Sequence, residues 1–81
     1  MILSLIKGNF TSKEAIELIT ELIHVKIKFH ENKIKLADHE EDIKMREKRI
    51  KQLQKELYEV KNYIDRKKGN ISLFGEISLN N

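Results

Sequence analysis

Apolar residues recur along this chain with a period of seven, from the first third almost to the end. Ala15, Leu22, Phe29, Leu36, Ile43, Ile50, Leu57 and Ile64 mark one row. Leu18, Val25, Asn32, His39, Arg46, Leu53 and Val60 each follow three residues behind. Spacing that alternates between three and four puts a continuous stripe on a helix, and a strict seven is the pattern of helices wrapped on helices. Nothing breaks it: the chain has no proline, and no glycine between Gly8 and Gly69.

The two halves use the rhythm differently. The first predicts a helix over residues 12–36. Thr11 with Glu14 three residues on forms a capping box, in which each side chain satisfies an orphaned backbone donor. Phe10 stands where a hydrophobic staple onto Ala15 would begin. This helix is apolar on more than a stripe, because Ile16, Ile19, Ile23, Ile27 and Ile34 flank the seam of Leu18, Leu22, Val25, Phe29 and Leu36. A helix so broadly apolar needs more than one neighbour. The second helix, expected over residues 39–68, carries the narrow seam Ile43, Ile50, Leu53, Leu57, Val60 and Ile64, with charge or amide nearly everywhere else. Arg66, Lys67 and Lys68 suit the negative end of its dipole, and Gly69 suits a left-handed cap.

Two architectures fit this pattern. One is a single helix from about residue 12 to 68, about 85 Å long at ~1.5 Å per residue. The other bends at a loop over residues 37–42, with Asp38 capping the second helix and Glu41 completing another box. The hairpin then pairs Leu36 with Ile43, Phe29 with Ile50, Leu22 with Leu57 and Ala15 with Ile64, and sets Asn32 against Arg46. The continuous coil stacks Asn32, His39 and Arg46 in successive core layers, a long poorly buried stretch. The expectation is therefore a mainly α fold, an antiparallel coiled-coil-like hairpin in one domain over residues 1–81. Residues 2–6 form an apolar arm or strand, Gly8-Asn9 a turn, and residues 71–79 a strand-like tail. The surplus isoleucine row predicts a homodimer, two hairpins making a four-helix bundle.

Size and composition narrow the classes. At 81 residues the chain buries too little surface for a large core, which favours oligomerisation. Cysteine is absent, which excludes disulfides and thiolate metal sites. Met1 to Ile6 is too short for a signal peptide, and no apolar run approaches the ~20 residues of a membrane span. The expected compartment is the cytoplasm, without membrane association.

Candidate chemistry is sparse. Glu21 and His24 have the Glu-x-x-His spacing of bundle metal sites, but fall on the polar side without further carboxylates. The run 38–42 (Asp-His-Glu-Glu-Asp) lacks the spacing of a calcium loop and reads as an acidic helix start. His30-Glu31 lacks the second histidine of a zinc motif. No glycine-rich phosphate loop or nucleophile motif is present, so no catalytic residue, metal or cofactor is assigned. Charge has one asymmetry: residues 41–68 carry ten basic and six acidic side chains. Lys44, Lys48, Arg49, Lys51 and Lys55 could track phosphates, although Glu47 and Glu56 interrupt them and no aromatic lies among them. Arg46 reads as architectural, snorkelling from the seam or pairing with Asn32.

The runs Gly8-Asn9-Phe10-Thr11-Ser12-Lys13-Glu14-Ala15 and Lys26-Ile27-Lys28-Phe29-His30-Glu31 resemble small bacterial helical-hairpin proteins of unknown function. The resemblance covers mainly residues 8–31 and implies a helical fold and a bacterial source, with no activity or site residue to carry over. The resulting expectation is a non-catalytic module for protein–protein interaction or regulation, working by helix-on-helix packing. The alternative is a nucleic-acid-binding protein using the basic face of the second helix.

Overall fold

The computed structural model describes residues 1–81 and contains four elements: β1 (Ile2–Phe10), α1 (Ser12–Leu36), α2 (Glu40–Asp65) and β2 (Ile71–Ser78). The chain doubles back after Leu36, so the continuous helix does not form. Ala37 ends α1 in an extended conformation, its N–H donating to the Ile34 carbonyl at 3.2 Å. α2 begins one residue beyond the expected box. His39 is its N-cap and makes no side-chain capping bond. Asp38 is thus not the cap, and Glu40, Glu41 and Asp42 favour the helix start through the dipole instead.

The start of α1 is fixed locally. The Glu14 N–H donates to the Thr11 hydroxyl at 3.1 Å, and the Thr11 N–H donates to the Glu14 carboxylate at 2.9 Å. The second bond, then the hydroxyl, holds the Glu14 carboxyl below its ordinary pKa. At its far end α2 stops at Asp65, short of the basic residues expected to close it, and Gly69 takes φ +86° to turn the chain into β2.

The termini form an antiparallel ribbon, with Phe10 opposite Ile71, Gly8 opposite Leu73, Ile6 opposite Gly75 and Leu3 opposite Ile77. Gly8-Asn9 is therefore strand rather than turn. Gly8 sits at φ +150°, open to glycine and strained for other residues. A bulge between Ser4 and Ile6 shifts the register. It keeps Leu3 in phase with Ile6, Gly8 and Phe10, so one ribbon face is apolar from end to end. The Leu79 N–H donates to the Met1 carbonyl at 2.7 Å and closes the free end.

The body is flat, 47 × 32 × 13 Å, with a radius of gyration of 15.3 Å against about 12 Å for a compact chain of this length. Only Ala15, Leu53, Leu57 and Ile64 are buried. Ala15 and Ile64 are the most enclosed, at the end where the ribbon springs from the hairpin.

Candidate interaction surface

α2 presents one face to the fold. Leu53, Leu57 and Ile64 are buried on it, and Ile43, Ile50 and Val60 are half-buried. α1 has two apolar rows, roughly 140° apart around its axis at ~100° per residue. Ile16, Ile19, Ile23, Ile27 and Ile34 are all half-buried, together with His30 one turn along the same face. Leu22, Val25, Phe29 and Leu36 are exposed, Val25 by 70 % and Leu36 by 79 %, while Leu18 is half-buried. The row expected to form the hairpin seam is thus the open one on α1, and the row expected to meet a second copy is the sheltered one.

Arg46 gives a physical reason. It lies in the α2 seam, with its side chain about one-fifth exposed, and a guanidinium there needs an acceptor. His30 supplies it: Arg46 Nη1 donates to His30 Nδ1 at 3.1 Å. The expected partner, Asn32, lies on the other side of α1 and is exposed. Arg46 also stands 3.7 Å from Asp42, beyond hydrogen-bond length, and its buried Nε has no hydrogen-bond partner.

His30 is held below its ordinary pKa, first by desolvation, then by the positive charges of Arg46, Arg49 and Lys26. An unfolded chain then takes up this proton first as pH falls, so the contribution opposes folding under acid. It is absent well above the unfolded value of 6.5 and grows as pH drops through it. Urea midpoints measured between about pH 7.5 and about pH 5 should therefore decline, and His30→Asn, which retains an acceptor for Arg46 but cannot titrate, should flatten that slope. An unchanged slope would remove His30 as its cause.

The open row of α1 borders a groove shared with the ribbon. One stretch, of about 250 Å³, is lined by Leu5, Ile6, Leu73 and Phe74 of the ribbon and by Ile19 and Leu22 of α1. The next, of about 260 Å³, joins Leu5 and Ile6 to Leu18, Leu22 and Val25. Beside it lies an acidic hollow of about 340 Å³ formed by Phe10, Glu14, Glu17, Leu18 and Glu21. Farther along, Lys33 lies over the Phe29 ring at 5.6 Å and the His30 ring meets it edge-on at 5.7 Å, yet Phe29 remains more than half exposed. The ribbon residues of this surface were legible only as an apolar arm, since the pairing and bulge that orient them depend on residues some 70 positions away.

The other sequence-marked residues are dispersed. Lys44, Lys48, Arg49, Lys51 and Lys55 are exposed on α2. Lys44 pairs with Glu40 at 3.4 Å and Arg49 donates to Gln52 at 3.3 Å, while Lys48, Lys51 and Lys55 have no carboxylate within ion-pair distance. Glu21 and His24 are exposed, and no three carboxylate or imidazole side chains converge as a metal site would require. No helix is long and apolar enough to cross a membrane. No family model, curated protein or solved structure matches the chain.

Proposed function

We propose that this chain is a non-catalytic interaction module that works by self-association, its helical hairpin and ribbon presenting the open row of α1 to a second copy. The supporting observation is surface area. The chain exposes 6849 Å², whereas a folded monomer of 9.6 kDa exposes about 5,100 Å². The excess of about 1,700 Å² per chain lies in the range that obligate homodimers bury. Part of the apolar surface is continuous, from Leu5 of the ribbon to Leu22 and Val25, and the same helical row goes on to the exposed Phe29 and Leu36; patches of that kind on small chains mark association sites. Size-exclusion chromatography with light scattering, across a dilution series, should return twice the 9.6 kDa chain mass. A folded species with the mass of one chain at every concentration would refute the reading.

A second reading has one observation behind it. Lys48, Lys51 and Lys55 follow one another along the side of α2 opposite its packed seam, free of acidic partners. Three such lysines on phosphates would give duplex DNA binding a log–log salt slope near about −3. Fluorescence anisotropy at two salt concentrations, with duplex and single-stranded probes, tests it. Binding without salt dependence, or no binding, dismisses it.

A further inference from the structure

We infer that the second copy enters the groove with its α1 antiparallel, so that the acidic half of each α1 lies along the basic half of the other. This rests on the self-association reading and adds its orientation. The open row has its own charged border, written at intervals of seven. Glu21, Lys28 and Lys35 precede Leu22, Phe29 and Leu36 of the open row, and Glu14 precedes the buried Ala15 at the same interval; the four charged residues are all exposed. Residues so spaced share one flank of the helix. That flank is acidic in its first two positions and basic in its last two.

A twofold axis across the middle of α1 brings Glu21 level with the partner's Lys28, and Glu14 level with the partner's Lys35. Symmetry doubles both pairs. A parallel pair does worse: it brings Glu21 to the partner's Lys26 but sets Lys28 against the partner's Lys33, and Glu14 meets only the partner's Ile19. Exposed ion pairs add little affinity, so apolar area drives the association and the charges choose its direction.

The ribbon makes the same choice. It springs from the first turn of α1 and reaches the level of Leu18 to Val25, where Leu5 and Ile6 share the groove. It leaves Phe29 and Leu36 of its own helix uncovered. In the antiparallel arrangement the partner's Phe29 and the partner's Leu36 arrive at the acidic end, beside the ribbon, and each groove is completed by side chains its own chain cannot supply. In a parallel pair both ribbons crowd one end and the other stays bare.

Zero-length carbodiimide cross-linking of a mixture of ¹⁵N-labelled and unlabelled full-length chain tests this, with mass spectrometry of the peptides and light scattering on the same sample. Glu14 and Lys35 lie about 32 Å apart along one helix, too far to link within a chain. The expected products are labelled-to-unlabelled links of Glu14 to Lys35 and of Glu21 to Lys28. Links of Glu21 to Lys26 between chains, or no link from the acidic half to Lys28 or Lys35 in a sample of dimer mass, would overturn the orientation and leave self-association standing. Monomer mass would overturn both.

Discussion

Ile64→Ala is expected to destabilise the fold by about 2–5 kcal/mol, the range for removing a large aliphatic side chain from a closed site. Ile64 is 2 % exposed, and it is one of only four buried residues. Deleting its outer carbons leaves a hole at the end of the hairpin where Ala15, the other most enclosed residue, also lies. A core of this size supplies a margin of only about 3–5 kcal/mol, so the variant should be largely unfolded near physiological temperature. Urea and thermal melts followed by circular dichroism at fixed chain concentration would show it, with a drop in Tm of at least about 10 °C. Tyr58→Ala serves as the comparison. Tyr58 is 67 % exposed on the far side of α2 and should shift stability by no more than about 0.5 kcal/mol. Equal melts for the two variants would mean that the hairpin end is not where stability resides.

The second large effect concerns assembly. On the self-association reading, Leu22→Glu combined with Phe29→Glu should leave a monomer, weakening association by about two orders of magnitude, or ~2.7 kcal/mol. Each copy loses two apolar contacts, and four carboxylates are forced into an apolar interface beside Glu17 and Glu21, where burial of unpaired charge is costly. Both positions are exposed in the single chain, so the hairpin itself keeps its packing. Ile23→Glu, on the half-buried row, is expected to lose helicity instead. Light scattering distinguishes the two rows directly. If Leu22→Glu/Phe29→Glu remained a dimer while Ile23→Glu became a folded monomer, the isoleucine row would be the interface.

These variants also mark the limit of what the chain discloses when read alone. The extent of α1 and its capping box are local facts, set by Thr11 and Glu14, and both were legible. So was the reversal near residue 38, because three polar seam residues in succession make a continuous coil unfavourable. The face of α1 turned to α2 was not. Two apolar rows run the length of that helix, and hydrophobicity does not rank one above the other. The choice is made by groups far apart in sequence: Arg46, which needs the His30 acceptor, and the ribbon, which partly shelters Leu18. The second helix, with a single row, left no such ambiguity. The ribbon was only half legible for a related reason. Alternation suggested strands at both ends, but a glycine–asparagine pair ordinarily signals a turn, and only a partner strand more than 60 residues away makes Gly8 extended.

A body 13 Å through has no interior deeper than one side chain. On the dimer reading a twin would hide much of what so sheet-like a molecule leaves open to water, so pairing would add to the stability of the fold and the folded fraction would climb with the number of chains present. On that reading dilute chains would be the more open to proteolysis, and the protein's lifetime would follow its own abundance.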